Sequence, residues 1–430
     1  MFRFRADRSR AAIVVALLVL ALAGCRRPSP AASLDDAARR FVRLAVALGE
    51  RDTDSLDFYA GPAEFVADVR RNPSPLAAIK RDAAILAADL SSESGGSNAT
   101  DSDRLRTMLA DLAAIQARVD LLTGARLPYR TESIRFFGVA PEPVDSRRME
   151  ETRSSVAALV GHGGRLVDRF AAFSKRFIVA RERLSSVLDA ALQACRQQTL
   201  AHLMLPVDER VAIAFVDDRP WSAFSRYLGN HQTKIQVNTD YQFTVDQLLQ
   251  MACHEGYPGH HTRNLLMASV RDAARSWPER WVQLTFSPGS LVSEASAMAA
   301  VDVAFSLEER ARIEREQLFP IAHLDAHDVE RQVAVERLVG QLQVIQEDVA
   351  RRYIDGELEF ARAVSELEEL ALVPHAEAVI KYVNQFRSYV TAYTTGRAVF
   401  AGRLAACAGA QPTDAARWRC FRELMLKGSL

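Results

Sequence analysis

The chain has 430 residues, 49% hydrophobic and 25% charged, with 20 Gly, 16 Pro and 5 Cys. That composition excludes a disordered, collagen-like or disulfide-dense chain, and the length suits two or three structural units around a large core. Lys+Arg and Asp+Glu both number 54, so the formal net charge is zero and no basic surface points to nucleic acid as a partner.

Arg3, Arg5, Arg8 and Arg10 form a positive leader ahead of an apolar stretch of about 13 residues, 11–23. That stretch is too short to cross a hydrocarbon core of roughly 30 Å, so residues 1–24 read as a signal peptide. It ends in Leu22-Ala23-Gly24-Cys25, which resembles the lipobox of bacterial lipoproteins. The resemblance implies that Cys25 becomes the first residue and carries lipid. The expected protein is exported and held to the cell envelope by that lipid, with 25–33 as tether. Arg26, where a retention signal often has Asp, favours the outer membrane facing the periplasm in a Gram-negative host. An oxidising compartment permits disulfides. Cys407 and Cys420 flank an expected turn and are a candidate pair; free thiols are the alternative. Cys195 and Cys253 lack zinc-finger spacing.

Residues 34–203 read as an N-terminal helical region, with apolar residues three and four apart at 35–48, 76–90, 104–122 and 165–203. The Ser/Gly-rich segment 91–98 reads as a linker. The period then changes: 211–216 is β-prone, a turn follows at 217–220, and 234–238 alternates as a half-buried strand does. After Phe243 the helical pattern runs to the end. The expected fold is mainly α with a small β-sheet at 211–238, inside a second region covering 204–430.

Residues 245–257 read as an amphipathic helix with Thr244 as N-cap and Gln247 completing a capping box. It leads into His254-Glu255-Gly256-Tyr257-Pro258-Gly259-His260-His261, three of the chain's nine histidines. In the pattern H-E-x-x-H, two histidines one turn apart bind zinc and the Glu activates water. Here Pro258 stands in the second histidine's place and cannot ligate. In a straight helix His260, six residues on, would sit about 240° around from His254, and His261 would be displaced by roughly 10 Å. Pro258 disrupts a helix interior and Gly259 permits unusual dihedrals, so a kink or bulge can turn His260 back toward His254. His261 remains the competing ligand, or a partner to one. Glu294 lies on a small-residue helix at 290–300 and is a candidate third ligand, though a carboxylate in a first helical turn also suits the macrodipole.

The stretch His254–His261 resembles the H-E-x-x-P-G-H-H signature of a bacterial family, domain of unknown function 885. Many of its members are lipoproteins, and it is grouped with zincin-like metallopeptidases. Glu294-Ala295-Ser296-Ala297 matches the leading Glu and the Ala of the family's E-G-W-A-x-Y-x-E but lacks the Gly-Trp pair. Tyr393-Thr394-Thr395-Gly396 matches its Y-x-x-G. The resemblance implies a gluzincin-type helical architecture, zinc held by His254, His260 and Glu294, and Glu255 as general base. Tyr393 is the implied donor to an oxyanion, with Arg387, Tyr389 and Arg397 expected nearby on one helix. The strand at 235–238 is expected to be an edge that pairs with extended substrate. Asp302 is a candidate for orienting a ligand. His323 and His327 have metal-like spacing without a following Glu. The expected function is a lipid-anchored, zinc-dependent hydrolase of peptides or peptide-like amides. The alternatives are a non-catalytic envelope lipoprotein and a metal hydrolase of other amides or esters. Oligomeric state is not legible.

Overall fold

A computed structural model describes residues 30–92, 99–219, 221–272 and 277–430. Cys25, the signal segment and most of the expected linker lie outside them.

Helix α1 (Pro30–Gly49) begins within the expected tether. Its Leu34, Ala38, Phe41, Val42 and Ala45 form one buried stripe. That stripe packs on α2 (Leu76–Ser92) and α3 (Ala99–Leu122), with strand β1 (Leu56–Tyr59) alongside. Each fully buried Leu or Phe contributes roughly 1.5–3 kcal/mol, so this core is a substantial unit beside the larger one.

The long helix expected over 165–203 is broken. A helix at Leu166–Lys175 ends, and α4 (Leu184–Leu200) starts afresh. Between them, Val179 N–H donates to Phe243 O at 2.9 Å, and Val245 N–H donates to Phe177 O at 3.1 Å. Backbone groups that a helix would use internally are spent on a crossing with the chain ahead of the motif helix. Segment 149–203 therefore joins the same large core as the second half of the chain.

Strands β2 (Arg210–Val216), β3 (Ala223–Gly229) and β4 (Gln232–Asn238) form a sheet in the order β2-β4-β3. β4 runs parallel to β2 and antiparallel to β3. The expectation that 235–238 is an edge strand is overturned: β4 is paired on both sides, and Thr233, Ile235 and Val237 are buried. The alternation that suggested a half-buried strand reports one buried face, not an unpaired edge. The unpredicted β3 is the edge beside the motif helix, where Ser225 Oγ donates to Glu255 O at 3.1 Å.

The motif helix α5 (Val245–Met251) opens on the expected Thr244–Gln247 capping box. After the motif come α6 (His260–Asp272) and β5 (Val282–Leu284), which pairs back with β1. Helix α7 (Pro288–Ala304) has Ser287 as N-cap and Pro288 at its start, and is buried along almost its whole length. Helices α8 (Val329–Ile354), α9 (Ala376–Phe386), α10 (Thr395–Ala408) and α11 (Asp414–Met425) complete the large core. No single helix among the described residues is long and apolar enough to cross a membrane.

Two disulfides cross-link the fold. Cys407–Cys420 joins α10 to α11, and Cys195–Cys253 joins α4 to the motif. The second pair was not anticipated; its partners are 58 residues apart and in unrelated sequence contexts.

Beneath the start of α5, Arg310 Nε donates to Asp246 at 2.6 Å and lies 3.6 Å from Glu314. Glu314 is fully buried, and its oxygens find no donor among the described residues. Burial, reinforced by Asp246, raises its carboxyl well above the usual 4.5, against the pull of Arg310. Burial likewise lifts Glu336 to about 8. Such a group keeps a proton in the folded state that the unfolded chain releases above about 4.5. Its contribution to stability is complete below that pH and lost as pH rises through the folded value. Glu314→Gln should therefore flatten the pH profile, gaining on wild type between pH 5 and 8. Denaturant unfolding across that range checks it, and parallel profiles would refute it.

Candidate metal centre

The α-helical hydrogen bonding of α5 gives way at Ala252–Gly256 to one π-helical turn. A cis Tyr257–Pro258 peptide follows, and α6 starts at His260. Gly259 N–H donates to Cys253 O at 2.9 Å, so the backbone remains paired through the break. The fit at Gly259 admits no side chain. A Cβ there would stand 1.9 Å from His254 O and 2.5 Å from Cys253 O.

This wider turn brings His260 round to His254. Their ring centroids are 4.8 Å apart and the planes nearly perpendicular, at 85°. One ligand atom from each of His254, Glu255 and His260 lies within 4.8 Å of the others. From α7, Glu294 Oε2 stands 3.5 Å from Nε2 of both histidines. A tetrahedral ion with bonds of about 2.1 Å sets its ligand atoms roughly 3.4 Å apart, so those two edges have the spacing of a zinc cage. The His254, His260 and Glu294 side chains are 18, 15 and 13% exposed, enough for a small molecule to reach them.

The charges point the same way. Glu255 Oε2 and Glu294 Oε2 are shielded from solvent, and neither has a hydrogen-bond partner among the described residues. Burial lifts the Glu255 carboxyl to about 7, with the Glu294 charge adding to it and His254 opposing. Burial acts on Glu294 as well, but His260 and His254 outweigh it and hold that carboxyl well below the usual range. Buried carboxylates are normally paired or bound to metal, and these partnerless oxygens fit a cation.

α7 can approach because its inner face carries Ser290, Ser293, Ser296 and alanines, all buried. Ser293 Oγ lies 3.2 Å from His260 Nδ1, which leaves Nε2 facing Glu294. Asp57, the extra residue of a β-bulge in β1, takes a hydrogen bond from Gln283 Nε2 at 3.2 Å. Neither residue was singled out in the sequence, and for Asp57, far from the motif along the chain, no local signal exists.

Tyr393 does not sit on one helix with Arg387 and Arg397. The chain breaks at Arg387 and again at Thr394, where Glu347 on α8 accepts from the hydroxyls of Thr394 at 2.6 Å and Thr395 at 2.7 Å. Gly396 then lets α10 approach α7, where its Cβ would meet Leu291 Cγ at 3.0 Å. The Tyr393 hydroxyl lies 3.3 Å from that of Tyr382. Tyr389 reaches further in, donating to Glu294 Oε1 at 3.0 Å with Ser290 Oγ at 2.9 Å. Burial, then the negative Glu294, raises both tyrosines well above their usual range, so both stay protonated donors.

The remaining candidates are elsewhere. His261 is turned inward, with Nδ1 at 2.7 Å from Thr233 Oγ1 and Nε2 at 3.0 Å from Glu209 Oε2, so neither nitrogen is available to an ion. Arg387 pairs with Glu132, and Asp302, expected to orient a ligand, pairs instead with Arg397 at the surface. His323 contacts Arg183, and His327 lies beside Asp328, without forming a cluster.

No family model matches the chain, and no curated protein matches it, so the family resemblance stays with the motif residues. Solved structures of similar shape include one described as a lipoprotein of unknown function from Shewanella oneidensis. It is 12% identical over 84% of this chain and 76% of that one, with a TM-score of 0.44. BsuCP is 12% identical over 92% and 89%, at 0.44. Trypanosoma cruzi metallocarboxypeptidase 1 is 12% identical over 92% and 90%, at 0.40. Likeness at this level assigns no function.

Gly259→Ala should force the backbone apart at His254. We expect a loss of about 2 kcal/mol or more in denaturant unfolding, together with loss of metal uptake. Wild-type metal content in a folded variant would contradict the close packing described.

Proposed function

We propose that this chain is a zinc-dependent hydrolase of peptides or peptide-like amides. The observation that carries the reading is the convergence of two imidazole nitrogens on one shielded oxygen of Glu294, beside a shielded oxygen of Glu255 that has no hydrogen-bond partner among the described residues. His254, His260 and Glu294 would hold the ion. When bound, zinc supplies a water acidic enough to lose its proton near neutral pH and a positive charge that polarises the substrate carbonyl.

The protein's own groups do the rest. Glu255, next to His254 and lacking a hydrogen-bond partner on Oε2, accepts the water's proton and delivers it to the leaving amine. The protonated hydroxyl of Tyr393 donates to the oxyanion of the attacked amide. Tyr389 is already committed to Glu294 and orients that carboxylate. The lipobox-like end of the leader supports attachment to the envelope through Cys25, and the two disulfides suit an oxidising compartment.

E255Q should keep stoichiometric zinc by elemental analysis while losing at least about a hundredfold in turnover against a peptide library. His260→Ala should lose the metal. A wild-type protein with zinc but no cleavage of peptides, other amides or esters would leave a non-catalytic envelope protein instead. Metal retained in His260→Ala but lost in His261→Ala would overturn the ligand assignment.

A further inference from the structure

Two features on α4 lie behind the motif and take no part in the chemistry proposed for it. Cys195 is bonded to Cys253, the residue before His254. Its neighbour Arg196 donates from Nε to Glu209 Oε1 at 2.7 Å. The other oxygen of Glu209 takes the Tyr257 hydroxyl and lies 3.0 Å from His261 Nε2. Thr233 of β4 closes the far side of the His261 ring. The Glu209 side chain is 1% exposed and that of His261 0%. Burial opposes the Glu209 charge, but His261, Tyr257 and Arg196 outweigh it and hold the carboxyl at about 2.

One carboxylate therefore grips the residues on both sides of Pro258-Gly259-His260, the segment where the chain leaves helical geometry. The separation of His254 and His260 is not set by a regular helix, which would turn His260 away by about 240°. It depends on what holds the turn: the Cys195–Cys253 bond to α4 on one side, and on the other Glu209, which stands just ahead of β2 and is itself bonded to Arg196 of α4. We infer that Glu209 is a positioning residue for the metal centre, fixing His260 against His254 through Tyr257 and His261. This rests on the metal reading above and adds a residue outside the motif to it. The second histidine of the His-His pair then has its own role as the handle by which the turn is held.

Groups that orient a ligand from behind typically contribute 10–100-fold to metal affinity. The test is titration of metal-free protein with Co²⁺ and Zn²⁺ at a temperature where circular dichroism shows it folded. For Glu209→Gln, nearly the same shape without the charge, we expect 10–100-fold weaker binding of both ions and altered cobalt d–d bands. Glu279→Gln, which breaks the buried pair with Arg104 in the other core, should lower the melting temperature and leave both readouts unchanged. If Glu209→Gln does not fold, Tyr257→Phe removes one hydrogen bond from the same oxygen and should weaken binding by roughly 3–10-fold. Wild-type affinity and spectrum in whichever variant folds would overturn the inference and leave Glu209 a purely structural residue. Wild-type protein that takes up neither ion would sink the metal reading itself, and this inference with it.

Discussion

The site depends on the closeness of one backbone to another. Gly259 lies under the carbonyls of His254 and Cys253 with no space for a β-carbon, and the wider π turn before it changes where the next residues face. Pro and Gly in a helix interior cost about 3 and 1 kcal/mol relative to Ala. Here the expense is limited because the chain stops being α-helical where they occur and Gly259 N–H still finds an acceptor. Two imidazoles on what would otherwise be opposite faces come together.

A second constraint is charge. The interior around the turn holds Glu255 and Glu294 with no Lys or Arg bonded to either among the described residues, and the tyrosines beside them remain protonated. Carboxylates gathered in a shielded place would repel one another unless a proton or cation sits between them. The histidines and Tyr389 moderate that repulsion for Glu294, and the ion proposed above would sit against the remaining oxygens.

Part of the first 200 residues is tied directly to the motif. α4 is joined to the motif covalently at Cys253 and, through Arg196, by a hydrogen bond to Glu209, and β1 pairs with β5 just ahead of α7. Helices α1, α2 and α3 form their own apolar core, which carries the β1–β5 ribbon.

Much of this was legible locally. The mainly helical class, two of the three strands of the β2-β4-β3 sheet, the α5 capping box and the need for a break at Pro258-Gly259 all follow from residue type and spacing, because caps, periodicity and proline act over a few neighbours. Long-range choices were not. The sequence could not show that β4 lies inside its sheet, that Cys195 finds Cys253, that His261 turns toward Glu209, or that Tyr389 rather than Tyr393 touches Glu294. Each is settled by which distant surface packs against which, and a side chain's own neighbours in sequence carry no record of that. The residues proposed to bind an ion were written in the chain; which of them face one another was decided by the packing of α4 and α7 on either side of a broken helix.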